Sequence, residues 1–534
     1  MKSECLPFSQ IPHTTPLFTD FLSYQPKVHP FYPRSAYFAE WMKEGAAAIG
    51  YDSERREQIT AILKRQNQGW GASGAVTKNI ERLRAGAMAV VTGQQVGLFG
   101  GPLFSIYKAL TAVKLADVAT RNGADCVPIF WLATEDHDLA EVSQVSLPGS
   151  DGLQTLAVST HGVGDAPVGT VTFGEEILPV IEAAAALLGD GPVVTALRES
   201  YRPGGNFGSA FAGLFARLFG DWGVILLDAS DPELHRVAEP LYRAAIEQAS
   251  QLDEALLSRG KELESAGYHQ QVKVTPSSTL LFSRRDGARV AVHRRENDQF
   301  VIGREEISRL EILKRIADAP ENFSPNVLLR PVVQDYLLPT LAYTGGSAEV
   351  AYFAQAAVIY EKLLGRVTPI VPRFSATIVD SKMRGWLDRY QLSLADLFQG
   401  PEKLRERLAE NALPSELQGN FDRADAALQG SMTAIRESLI RLDKTLVDAA
   451  ENAESKIRHQ LESLRARTAR AELQKSEVLG RHAAVLSNSL FPKKVLQERE
   501  IAGVYFLARY GTDLLRDLYD SIHTDCLDHQ VISL

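Results

Sequence analysis

Cysteine is scarce in this sequence. Among 534 residues there are three, Cys5, Cys126 and Cys526, an odd number set far apart and without a C-x-x-C pair. That excludes a disulfide scaffold and a cysteine-built zinc site. Long apolar runs are missing too: no stretch of 18 uncharged apolar residues occurs, so nothing reads as a membrane span. The opening MKSECLPFSQIPHTTPLF carries prolines where a secretory leader needs an unbroken apolar run. The expectation is a cytoplasmic chain. There is no excess of basic charge either. Lys+Arg number 57 against Asp+Glu 66, and the net charge of −9 argues against a protein that grips nucleic-acid backbones. What remains is a globular chain with 45% hydrophobic residues, enough for a large core, and room for roughly three domains of about 150 residues.

Residues 1–85 read as a Pro- and aromatic-rich lead-in followed by helices that pack on a core. From 86 to 380, short apolar runs alternate with helical stretches, the α/β pattern. The runs are AMAVVTG (87–93), CVPIFWLA (126–133), GVILLD (223–228), PTLAYTGG (339–346) and RVTPIVP (366–372). Their nearly continuous apolar, β-branched character suits strands of a parallel sheet covered on both faces. Two intervals break the alternation and read as insertions. One, near 147–200, holds short segments such as TVTFG and then an Ala-rich helix. The other, near 270–303, reads as a small antiparallel unit. From 381 to 489 the character is helical. Leu428, Met432, Ile435, Leu439, Leu442, Leu446, Ala449 and Ala453 form an apolar heptad seam. A second ladder (Ile457, Leu461, Leu464, Thr468, Ala471) follows a phase break near 448–455. That pattern fits a dimerising coiled coil, with a self-packing helical hairpin as the alternative. The arginines 465, 467 and 470 read as a solvated helix face. Residues 490–534 read as a tail that packs back on the core.

Three constellations sit at strand ends. The first is a glycine-dense turn, Gly93-Gln94-Gln95-Val96-Gly97-Leu98-Phe99-Gly100-Gly101-Pro102, leading into a helix that carries Lys108. It is neither a Walker A loop nor a G-x-G-x-x-G fingerprint. Its glycines would let a ligand approach the backbone, and the helix start would offer N–H groups to an anion. The second is Thr134-Glu135-Asp136-His137-Asp138, after the most apolar strand. Such a cluster can orient an amine, supply a general base or bind a divalent metal. A capped acidic turn, with Asp136 or Asp138 as the cap, is the bland alternative. The third joins Arg330 and Gln334, four apart on one helix face, to Gly345-Gly346-Ser347 and Glu349 at the next strand's end. Arg330 can clamp a carboxylate, and Ser347 with Glu349 can simply cap a helix.

VVTGQQVGLFGGPLFSIYKALTAVKLA, PIFWLATEDHDLAEV and NVLLRPVVQDYLLPTLAYTGGSAEVAYF closely resemble the BshC family, the cysteine-adding enzymes of bacillithiol biosynthesis. The likeness runs in order along the whole chain. It implies a Rossmann-like core with two connecting-peptide insertions and a coiled-coil domain that makes a homodimer. The implied reaction joins the carboxyl of L-cysteine to the amine of glucosaminyl-malate, the last step of the pathway. Forming an amide from a free carboxylate needs activation, so ATP or another nucleotide is the expected cofactor; the sequence leaves any metal open. On that reading Glu135, Asp136, His137 and Asp138 are the catalytic candidates. Gly93, Gln94, Gln95, Gly97, Gly100, Gly101, Lys108, Arg330, Gln334, Gly345, Gly346 and Glu349 are the candidates for binding substrate or nucleotide.

Overall fold

The computed structural model describes residues 2–150, 152–160, 164–295, 298–411, 413, 415–475 and 477–534. Each of the five apolar runs contains a strand: β1 (Met88–Gln94), β2 (Cys126–Leu132), β3 (Ile225–Asp228), β4 (Thr340–Gly345) and β5 (Ile370–Pro372). All pair in parallel, in the order β3-β2-β1-β4-β5. This is a doubly wound α/β sheet whose order reverses between β1 and β4. Every residue of β2 is buried, as a strand covered on both faces requires.

Four helices matter to the site. They are α1 (Phe104–Arg121) after β1, α2 (Pro232–Glu247) after β3, α3 (Arg330–Leu337) before β4 and α4 (Ser347–Leu364) after it. Asp231 caps α2 by accepting from the Glu233 amide.

The two insertions differ in how well their sequence foretells them. Residues 278–325 form an antiparallel sheet in which Ser278–Arg285 and Ala288–Arg294 are a hairpin. Its turn uses Asp286 (φ 50°) and Gly287 (φ 83°), the left-handed pair that a tight hairpin needs. The earlier insertion departs from expectation. TVTFG makes no strand; Val168–Thr170 is a 3-10 turn and Thr172 bridges only Asn206. The reason lies in its hydrogen bonds. Phe173 donates to the Gly205 carbonyl and accepts from the Gly204 amide, both at 2.8 Å, so the segment is pinned to a turn and, among the described residues, has no neighbouring strand. Just before it, the Val168 and Gly169 amides brace the acidic loop at the Asp136 (2.7 Å) and Thr134 (2.9 Å) carbonyls. The hairpin of this region is Gln144–Gly149 with Gly152–Ala157.

A third sheet joins distant parts of the chain. Lys2–Leu6 pairs antiparallel with His529–Ser533, which pairs in parallel with Ala376–Val379.

The heptad region is an antiparallel hairpin of α5 (Ser415–Leu442) and α6 (Val447–Lys475). Asp443 leaves the helical conformation and accepts from the Thr445 amide at 2.9 Å, so the bend falls at 443–446, earlier than the phase break suggests. Arg436–Glu454, Asp425–Arg458 and Asp422–Arg465 link the two helices in antiparallel register. The seam is shared. Met432 is buried, whereas Ile435, Leu442, Leu446, Ile457 and Leu464 are exposed. Arg467 is exposed, as a solvated face implies, and the Arg470 side chain lies outside the described residues. Among the described residues no helix is long and apolar enough to cross a membrane.

Candidate functional site

The carboxyl ends of β1, β2 and β4 converge where the strand order reverses, the place where open α/β sheets bind ligands. A cavity of about 610 Å³ opens there. Gly93, Gln94, Gln95, Lys108, Glu135, Asp136, His137, Arg330, Gly346 and Glu349 all line it. The structure thus gathers ten of the sixteen candidates at one place.

Lys108 and Glu349 form the floor. Lys108 reaches back from the second turn of α1, and its ammonium donates to the Gly93 carbonyl (2.7 Å) and to Gln94 Oε1 (2.8 Å). It also pairs with Glu349 Oε2 at 2.7 Å, with side-chain exposures of 5% and 15%. Glu349 in turn accepts from the Gly346 amide (2.7 Å) and the Tyr343 hydroxyl (2.5 Å). Burial pulls Lys108 down to about 8. Burial pushes the Glu349 carboxyl up, but Lys108, Tyr343 and the Gly346 N–H outweigh it and hold the acid below its usual range. Lys108 is therefore a strut whose donors are already engaged, and the cap of α4 is Gly346 with Glu349, since Ser347 is the first helical residue. Gly345 must be glycine: a Cβ there would fall 2.8 Å from the Glu349 Cβ.

The acidic loop divides. Glu135 faces the cavity with little solvent around it, and burial, reinforced by Asp228, pushes its carboxyl up to about 8 against the pull of Arg289. Asp136 accepts from the Gln95 side chain (2.7 Å) and from the His137 amide (2.7 Å). His137 sits 3.4 Å from Arg289 Nη1. Asp138 takes the capping role: it accepts from the Glu141 amide at 3.0 Å at the start of Leu139–Val142 and does not line the cavity. Among the described residues no group of three or more His, Cys, Asp or Glu is arranged to hold a metal ion.

The glycine turn does not offer its amides as expected. Those of Gly97, Gly100 and Gly101 are donated to the carbonyls of Gln95, Gly97 and Leu98. The Leu103 amide goes to Ile501 at 2.8 Å, and Pro102 bridges Ala502, so the tail covers the start of α1, which begins at Phe104. Gly100 (φ 85°) lies under Leu214 and Phe215 as a packing residue. Gly97 and Gly101 instead line a neighbouring cavity of about 300 Å³, which shares Gln94, Gln95, Phe104 and Arg499 with the first.

On the opposite wall Arg330 donates to Gln334 Oε1 (3.1 Å) and to the Tyr352 hydroxyl (2.9 Å). Gln334 is fully buried behind it and donates to Asp335, so it aims Arg330 and does not meet the cavity. Three further arginines were not singled out in the sequence. Arg289 comes from the antiparallel insertion and is fixed by Ser324 Oγ (2.9 Å) and the Pro325 carbonyl (2.6 Å). Arg373 follows β5 and pairs with buried Glu498 at 2.6 Å. Arg499 is supplied by the tail. Only Arg373 had a local signal, its place directly after a strand. The cavity thus carries carboxyls and guanidinium groups side by side, a donor set that suits a zwitterionic small molecule.

Fold and site together define a Rossmann-like α/β protein with a charged cavity at its switch point and a helical hairpin arm. Residues 1–374 match the family described as the bacillithiol biosynthesis BshC N-terminal Rossmann-like domain, and residues 376–534 match the BshC C-terminal coiled-coil domain. The chain belongs to the BshC family. It is 49% identical over 533 residues to a protein of Koribacter versatilis and 38% identical over 533 residues to one of Solibacter usitatus, covering 100% of each chain. A Salinibacter ruber protein is 33% identical over 529 residues, covering 97% of this chain and 96% of that one. Each of the three is named "Putative cysteine ligase BshC".

Proposed function

We propose that the chain is the cysteine ligase of bacillithiol biosynthesis, joining the carboxyl of L-cysteine to the amine of glucosaminyl-malate as the last step. The observation that carries this reading is the charge layout of the switch-point cavity. Glu135 and Asp136 stand where an amine can be held and deprotonated. Arg289 stands beside that acidic loop, and Arg330, Arg373 and Arg499 line the same cavity and suit the two malate carboxylates. Its volume of about 610 Å³ is within the range of small-molecule sites.

A nucleotide such as ATP is the proposed activator, because an amide does not form from a free carboxylate in water without a leaving group. The adjoining cavity of about 300 Å³ over Gly97 and Gly101 has Arg499 and Lys493 on its walls, the lysine paired with Glu500 at 2.6 Å, and these two cations suit an anionic group. Arginine and lysine side chains would hold it there, since the amides of the glycine turn are engaged. The exposed apolar residues of α5 and α6 suit a homodimer through the hairpin. The cytoplasm, where amino acid and nucleotide are both at hand, is the proposed place of work.

The test is thiol profiling by mass spectrometry. A deletion strain should lack bacillithiol and accumulate glucosaminyl-malate, and this chain should restore the thiol. Normal thiol levels in a deletion strain without a second copy would sink the proposal.

A further inference from the structure

Behind Glu135 lies a second layer of side chains. His235, on α2, is 3% exposed and places Nε2 3.3 Å from Glu135 Oε1. Its Nδ1 lies 3.1 Å from the hydroxyl of Tyr242, which sits two turns further along the same helix and is 2% exposed. The buried Tyr242 hydroxyl can satisfy its proton by donating to Nδ1, which leaves the ring's own proton on Nε2, the nitrogen that faces Glu135. Burial lowers His235 to about 4, against the pull of Glu321 and Asp231 and with that of Arg284, so the ring is neutral. Glu135 itself faces Arg289, Arg284 and Arg330 as well as Asp228, and Asp228 is held by the Thr134 hydroxyl at 2.5 Å.

We propose that His235, backed by Tyr242, is the positioning residue for Glu135, its Nε2–H holding the carboxyl on the cavity wall as the base for an attacking amine. The proposal rests on the ligase reading. In that step the amine nitrogen bonds to the acyl carbon of a cysteine carboxyl activated from a nucleoside triphosphate. The phosphate-class leaving group departs with its electron pair, and the nitrogen's proton passes to the Glu135 carboxylate. An N–H aimed at a carboxylate stabilises its ionised form. Without it the carboxyl would sit still higher, and less of the base would be present at neutral pH. Among the acids of the cavity wall, Glu135 is the one with this fixed donor behind it, while Asp136 is held by Gln95 and a backbone amide.

Infrared difference titration of the full-length protein tests the coupling without any assay of turnover. The Glu135 carboxyl band is identified by its loss in Glu135→Gln. In His235→Leu its midpoint should rise, with proton affinity increased about tenfold or more, as loss of a hydrogen bond to a charged group implies. Tyr242→Phe, which keeps the ring in place, should move it in the same direction by less. The pH profile of thiol formation should shift with the midpoint. An unchanged midpoint in folded His235→Leu overturns the proposal; if that variant does not fold, an unchanged midpoint in Tyr242→Phe overturns it. Wild-type protein that gives the expected midpoint shifts in its variants but forms no thiol from cysteine, glucosaminyl-malate and nucleotide would overturn the ligase reading, and with it the role of base.

Discussion

Lys108 Nζ lies 2.7 Å from Glu349 Oε2, tying the helix after β1 to the helix after β4 across the point where strand order reverses. The pair fixes the floor of the cavity and is too deeply buried for either partner to be left alone. Replacing Lys108 by Met should cost about 3–5 kcal/mol, because it strands a buried carboxylate. The double variant Lys108→Met, Glu349→Gln should cost clearly less than the two single changes added, as measured by denaturant unfolding. Additive costs would mean that the two charges do not interact. The pH dependence has a definite sign. Lys108 sits at about 8 in the folded chain against an ordinary 10.5, so the unfolded chain binds more proton between these values. The Lys108 contribution to stability therefore rises with pH across that window.

Glu135 behaves oppositely. Its carboxyl is pushed up from 4.5 to about 8, so the folded chain holds the extra proton between these values. The stability of wild type relative to Glu135→Gln should fall as pH rises from about 4.5 to about 8 and then level off, by a total on the order of a few kcal/mol. Parallel unfolding curves across that range would show that Glu135 is not buried as described.

The acidic loop separates a cap from a site. Asp138→Ala should lower stability by about 1 kcal/mol, the usual worth of an N-cap, and leave thiol formation near wild type. Asp136→Ala releases the Gln95 amide and the His137 backbone N–H from their common anchor, and should cut thiol formation at least about tenfold. Equal effects of the two substitutions on product would argue against the division.

Leu442 and Leu464 are 78% and 55% exposed on the hairpin arm. Changing both to Asp should leave the melting temperature almost unmoved, since neither side chain leaves a packed core. On the homodimer proposed for the hairpin, sedimentation velocity should show wild type as a dimer and the double variant as a monomer. A double variant that sediments as wild type would place self-association elsewhere.

The sheet was legible because its evidence is local. Each of the five strands is a short apolar run bounded by Gly, Pro, Asp or Asn, and β2 is buried along its whole length. The site was legible to the extent that it hangs on those strand ends. Glu135 and His137 follow β2, and Gly346 and Glu349 follow β4. The misread parts depend on partners far away in sequence. Nothing near Gly97–Pro102 announces that Ile501 and Ala502 would occupy the start of α1. Nothing near Arg289 announces that an inserted hairpin would bring it to within 3.4 Å of His137. TVTFG has the alternation of a strand, but its Phe173 is bonded to Gly204 and Gly205 of a distant turn. The heptad seam was visible, yet spacing alone does not say which of its leucines meet a neighbouring helix of the same chain.

The tail over α1 bears on how the protein is made. Most of the switch-point cavity belongs to segments that leave the ribosome early, and domains generally begin to fold in that order. Arg499, and the Ile501 carbonyl that receives the Leu103 amide, emerge only after the entire hairpin arm. All five strands of the parallel sheet are therefore synthesised well before the cavity has its last wall. Premature termination within the arm would release a product with an uncovered helix start, an incomplete set of arginines and a sheet face stripped of the tail's Val504, Phe506 and Leu518.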